Sequence, residues 1–160
     1  SSDVCSSDLF TDVERGFEEA VDELRNIGCL NAVVLPTSRY GKWVLEGVGS
    51  FCARNHIPLR VMDSFPRNVK AGEVFLLQTG QLSNELAKFD EILKENNLTV
   101  GVDVGLIAYN DVPLNSVVLG GLTTISTDFV KMGKLAAEMI VSRKMTKIHN
   151  EFRMIRRNTF

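Results

Sequence analysis

The chain has 160 residues, 44% of them hydrophobic, which is enough for one packed domain and too much for a disordered chain. Its 18 basic and 20 acidic residues leave a formal net charge of -2, which gives no support for a broad nucleic-acid surface. No apolar run approaches the roughly 20 residues of a membrane span. Cys5, Cys29 and Cys52 show neither metal-ligand spacing nor a disulfide framework.

Ser1 to Leu9, SSDVCSSDL, matches no strand, helix or cap. It does resemble the translation of a common sequencing-library adapter, so residues 1-9 are expected to be an artefact, with the gene's true start missing; the plainer alternative is a flexible polar tail. Thr11 and Glu14 have capping-box spacing, and Val13, Phe17, Val21, Leu24 and Ile27 follow at helical spacing up to Gly28. Ala32 to Leu35 reads as a short buried strand before Pro36. Trp43, Val44, Val48, Phe51 and Cys52 mark a helix that ends before His56, and on that stripe Trp43 reads as core. Strands are expected at Leu59 to Met62 and at Glu73 to Gln78. A helix lined by Leu82, Leu86, Phe89, Ile92 and Leu93 closes at Asn96-Asn97. Alternation of helix and strand without hairpin signals predicts an α/β fold, a parallel sheet sandwiched by helices.

The most informative stretch is Val104 to Lys134. Leu106 to Tyr109 is a strand with both faces covered, and Asn110 and Asp111 stand at its carboxyl end, where open α/β sheets bind ligands. Leu122 to Ile125 is a short β-branched strand. Ser126, Thr127 and Asp128 offer oxygens to cap a helix starting near Phe129. The final segment, Glu151 to Thr159, alternates as an edge strand would.

Ala108-Tyr109-Asn110-Asp111, Leu122-Thr123-Thr124-Ile125 and Met132-Gly133, in that order, resemble the closing part of the LacI-type, periplasmic-binding-protein-like effector domain of bacterial regulators. With Thr127-Asp128-Phe129 the wording looks closest to GntR-headed members. The resemblance implies a type I periplasmic-binding-protein-like fold, with this chain covering the second subdomain and returning pieces of a truncated first. On that frame residues 10-30 are a helix of the first subdomain and 31-110 the second subdomain. Residues 111-147 cross back to the first, and 148-160 form the final strand of the second. The apolar faces of helices 11–27 and 127–143 are then expected to lie exposed.

The resemblance also suggests site residues, each with a plainer alternative. Asn110 stands where the family places a ligand-reading Asp; its amide can bracket a hydroxyl, or it merely turns the chain. Asp111 reads as structural. Arg39 and Tyr40 follow the first strand at the cleft mouth, but the family's usual Arg near position 44 is Val44 here. Arg39 or Lys42 substitutes, or both are surface charges. Phe65 is a stacking platform for a sugar face or a core residue. Thr79 and Gly80 replace a common Asn-Asp pair, which suggests a different or smaller effector. Thr127, Asp128 and Phe129 face the cleft, act as cap and core, or do both. The apolar run Pro113, Leu114, Val117, Val118 and Leu119 is a dimer surface or lies under the first subdomain.

No catalytic constellation emerges, since neither His56 nor His149 has a partner that spacing brings close. No Walker or GxGxxG loop occurs, and no cofactor or metal is expected. The resemblance implies a cytoplasmic regulator, not an enzyme. It would sense a small carbohydrate effector as a homodimer and bind DNA through a head outside this sequence. The other reading is a periplasmic sugar-binding receptor of a transporter.

Overall fold

Period-two alternation decides which side of the sheet each strand residue feeds. Leu30, Ala32, Val34, Val74, Leu76, Ile107 and Tyr109 enter one core, while Val33, Phe75, Leu77, Leu106 and Ala108 enter the other. Strands buried on both faces must be covered by helices on both faces, so this pattern yields three layers. The computed structural model describes residues 9–11, 17, 21–26, 29–34, 38–78, 82–144, 148–150 and 152–160.

The elements run β1 (Leu9–Thr11), α1 (Val21–Asn26), β2 (Leu30–Val33), α2 (Arg39–Arg54), β3 (Leu59–Met62), β4 (Val74–Gln78), α3 (Leu82–Glu95) and β5 (Gly105–Tyr109). Two 3-10 turns, Pro113–Ser116 and Val118–Gly120, lead into β6 (Thr123–Thr127), α4 (Phe129–Ser142), β7 (Ile148–Asn150) and β8 (Phe152–Ile155). The six-stranded sheet has the order β3-β2-β4-β5-β6-β8. Its pairs are parallel except β6 with β8, which is antiparallel. A separate two-stranded ribbon pairs β1 with β7 in parallel. This is the expected α/β fold with a mostly parallel sheet between helices.

Helix ends follow local chemistry. Ser38 caps α2 by accepting from the Gly41 amide at 2.8 Å, and Asp128 caps α4 by accepting from the Lys131 amide at 2.9 Å. Asn97 after α3 and Arg143 after α4 turn the chain through positive φ.

Several elements run across the expected boundaries. The segment 10-30 does not stand apart from the second subdomain: Phe17 and Leu24 are fully buried in the same core as α2, and the Phe17 ring stacks on Phe51 at 5.1 Å. Phe17 and Leu24 of its apolar stripe are therefore covered, not exposed. Residues 123–127, expected within a crossover to the first subdomain, are the fifth strand of the main sheet and are buried throughout. Leu9, the last residue of the expected artefact, pairs with Ile148. The segment 148-160 is two strands, because β7 joins the ribbon and only β8 joins the sheet. The capping box from Thr11 and the Gly28 stop fall largely outside the described residues. Helix α4 does leave Val130, Ile140 and Val141 exposed.

Phe89 sits between Phe65 and Phe75, with ring centroids 4.4 and 5.7 Å away. Phe89→Ala should lower unfolding free energy by about 3–5 kcal/mol, as for large aromatic deletions in cores. Val141→Ala on the exposed face should stay within about 0.5 kcal/mol. Urea unfolding followed by circular dichroism distinguishes the two.

Candidate functional site

In an open parallel sheet the chain leaves a crevice where successive connections turn in opposite directions. Here β2 lies between β3 and β4, so the reversal falls between β2 and β4, at their carboxyl ends. The starts of α2 and α3 flank that point. Asn110 continues the same rim at the end of β5, and β6 ends one strand further on.

Asn110 has φ 71, the left-handed region that Asn tolerates better than most residues. Its amide donates to the Ile125 carbonyl at 2.7 Å, and its carbonyl accepts from Asn115 Nδ2 at 3.2 Å. The backbone of the turn is thus bonded on both sides, and half-buried Asn110 stands at the rim. Turning the chain and presenting an amide are compatible roles.

Asp111 is the hub beneath this turn. Arg157 Nη1 and Nη2 donate to its two oxygens at 2.9 Å each. Thr124 Oγ1 donates to Oδ1 at 3.1 Å, and the Asp111 amide donates to Ser126 Oγ at 2.9 Å. Partial burial pushes the carboxyl pKa up, but the Arg157 hydrogen bonds and charge, with Thr124 and Asn115, outweigh it and hold it below the ordinary value. Arg157 is the residue that sequence reasoning missed. Within the alternating final segment nothing local sets it apart from its basic neighbours.

A depression of about 210 Å3 opens at the β6 and β8 end of this rim, lined by Asp111, Ser126, Thr127, Asp128, Phe129 and Arg153 among others. Three expected site residues, Thr127, Asp128 and Phe129, therefore meet there. The depression does not coincide with the β2–β4 reversal; Asn110 and Asp111 join the two. A second hollow of about 240 Å3 lies at the opposite, amino-terminal edge of β4 and β5 and is less suited to a parallel sheet's ligand.

The remaining expected residues fare differently. Phe65 is only 7% exposed and packs on Phe75 and Phe89, so it is a core residue here and does not offer an open face to a sugar. Arg39 and Tyr40 begin α2 beside the reversal, but their side chains lie outside the described set, as does Thr79. Val44 is fully buried in the first core. Pro113, Leu114 and Val117 are exposed, whereas Val118 and Leu119 pack partly on the second core.

Among the described residues no group of three or more His, Cys, Asp or Glu side chains could hold a metal ion. Burial pushes the Cys52 thiol up to about 11, and the nearby Cys29 adds to this, which makes it a poor nucleophile. No described helix is long and apolar enough to cross a membrane.

The Asp111–Arg157 pair makes a pH prediction. Because the folded pKa of Asp111 lies below its unfolded value near 4, the pair's contribution is complete above about pH 4 and fades as pH falls through the folded value. Asp111→Asn should cost about 2 kcal/mol at pH 7, less than for a fully buried pair. The gap to wild type should close on acidification, when the native carboxyl is itself neutral. Urea titrations at pH 7 and pH 3 measure it; an equal gap at both would remove the charge from the explanation.

The periplasmic binding protein-like domain family matches residues 7–159. Comparison with curated protein sequences gives no match. Among solved structures the chain is similar to a dimeric lac repressor with a C-terminal deletion, at 20% identity and TM-score 0.69, covering 94% of this chain and 63% of that one. It is similar to the Escherichia coli transcriptional repressor ascG at 14% identity and TM-score 0.72, covering 98% of this chain and 65% of that one. A periplasmic binding protein/LacI transcriptional regulator from Alkaliphilus metalliredigens, complexed with D-xylulofuranose, gives 12% identity and TM-score 0.66, covering 93% and 64%. At these identities the likeness is one of fold, and the chain spans less than two thirds of the length of each. The match along nearly the whole sequence, on a sheet whose carboxyl rim carries the bonded Asn110 turn, means that the chain belongs to the periplasmic binding protein-like domain family.

Proposed function

We propose that the chain is the effector-sensing part of a cytoplasmic transcriptional regulator, that its effector is a small carbohydrate, and that the protein acts on DNA as a homodimer through a separate head, of GntR type. The observation that carries this reading is the Asn110 turn, held left-handed at the carboxyl rim by Ile125 and Asn115. An amide presented there offers donor and acceptor together, the pair that a sugar hydroxyl needs. The depression beside it adds the Phe129 ring and the Thr127 hydroxyl. The similarity to repressors, and to a regulator holding D-xylulofuranose, supports the same class.

On this reading the domains 31-110 and 148-160 contribute one wall of the effector cleft. Arg39, Tyr40 and Thr79 are further effector-binding residues on this reading. Effector binding favours one of two cleft states and so resets the spacing of the DNA-binding heads. Turnover plays no part. The periplasmic receptor reading shares the fold, but no specific observation favours it.

Neutral sugars titrated into the full-length protein by calorimetry test the reading. Asn110→Ala should weaken the sugar that binds by more than about 1 kcal/mol, one good hydrogen bond. Unchanged affinity would take Asn110 out of the site. The exposed Leu114 and Val117, at 64% and 73%, support a subunit contact on the crossover. The double change Leu114→Asp and Val117→Asp should turn a dimer into a monomer in sedimentation velocity. A dimer that survives it would place the contact elsewhere.

A further inference from the structure

Glu85 is a carboxylate where the fold alone has little use for one. It lies in the first turn of α3, is 6% exposed, and neighbours Leu86 and Phe89 of the second core. Lys88, one turn further on, donates to Oε1 at 2.7 Å. The other oxygen, Oε2, is buried and has no hydrogen-bond partner. A buried acceptor left unmet costs stability, and such an exception in a folded protein calls for a reason.

Its location supplies one. Strand β4 ends at Gln78 and α3 starts at Leu82, so the first turn of α3 stands at the carboxyl end of β4. That is one side of the β2–β4 reversal, where open α/β sheets bind their ligands. Side chains on a helix lean toward its N-terminus, which carries the Glu85 carboxylate toward the rim.

We propose that Glu85 is a specificity-determining residue of the effector site, accepting a hydrogen bond on Oε2 from a hydroxyl of a neutral polyol. The proposal deepens the sugar-sensing reading and rests on it. The charge on Glu85 is balanced by Lys88, so the missing partner is a neutral donor and not a second cation. A phosphate or carboxylate brought to Oε2 would bring acceptors to an acceptor and be repelled. The effector end that reaches α3 is therefore a hydroxyl-bearing carbon, and Lys88 fixes the carboxylate orientation by holding Oε1.

The test uses the full-length protein with D-xylose, D-ribose, D-galactose and D-xylulose as probes, in calorimetry and urea unfolding. Glu85→Gln keeps the shape and should weaken the sugar that binds wild type by about tenfold or more, the scale of one charge-assisted hydrogen bond. Glu85→Leu should abolish binding while raising the urea midpoint, because it removes an unmet buried carboxylate. Loss of binding together with gained stability is a combination that a purely structural role does not give. Wild-type affinity in both variants would overturn the proposal. If Asn110→Ala loses binding while the Glu85 variants keep it, the proposal falls and the sugar-sensing reading stands. If wild type binds none of the four sugars, both fall together.

Discussion

A guanidinium fork spanning 46 residues of chain ties the exit of the last strand to the crossover after β5. Arg157 grips both oxygens of Asp111, donates to the Leu122 carbonyl at 2.7 Å through Nη1, and accepts Thr123 Oγ1 on its own carbonyl at 3.2 Å. The pair is about one-fifth exposed on either side, so water screens it only partly. Bidentate geometry adds direction to this charge pairing, which a lysine could not reproduce. The Asn110 turn is tied to this fork, since Asp111 follows directly and Asn115 bonds both residues, while the Ile125 carbonyl holds it from the other side.

The same tail solves a problem that the sheet sets for itself. β6 is buried over its whole length, yet its neighbour on the far side, β8, runs antiparallel. Thr159 closes the opposite end: its hydroxyl accepts from the Thr123 amide at 2.8 Å and donates to the Leu106 carbonyl at 2.7 Å. Its carbonyl also accepts from the Leu106 amide at 2.8 Å. Residues 157–160 thus act as a short substitute strand bonded to both β5 and β6, which leaves buried threonines satisfied in an interior that would otherwise penalise them. Close packing of this tail sets glycine at Gly101, where φ is +79 and a Cβ would collide with the Asn158 carbonyl.

The main-sheet strands were legible because their apolar runs are short and bounded by turn residues, although β2 runs two residues ahead of the expected Ala32 to Leu35 and the ribbon strands β1 and β7 were not foreseen. β3 falls on the expected Leu59 to Met62, and β4 begins one residue after the expected Glu73. Layer assignment was less legible. A helical stripe such as Phe17 and Leu24 shows that a helix has an apolar face but not which sheet covers it; here both residues join the core of the main sheet. Phe65 was ambiguous for a related reason: an aromatic in a loop reads alike whether it faces a ligand or folds back onto Phe89. Arg157 and Glu85 were invisible as site residues because their significance lies in partners far along the chain or in the absence of one. Local spacing carries neither kind of information.

The ribbon and the sheet are joined where the chain is least able to absorb displacement. Asn150 ends β7 in the ribbon and Phe152 begins β8 in the sheet, with a single residue between them. Nearby, Thr127 pairs with Phe152 at the end of β6 before Asp128 caps α4. The ladder between these two segments stops there, and the Asn150 side chain takes over by donating to the Asp128 carbonyl at 3.0 Å. That carbonyl also accepts the Met132 amide at 2.9 Å in the first turn of α4. One oxygen therefore holds both the helix start and the second crossing segment. A shift of the ribbon against the sheet must strain or break this shared bond, and the residues it displaces, Asp128 and Phe129, line the depression beside Asn110. The start of α4, the rim of the depression and the end of the ribbon's second strand thus meet at a single carbonyl.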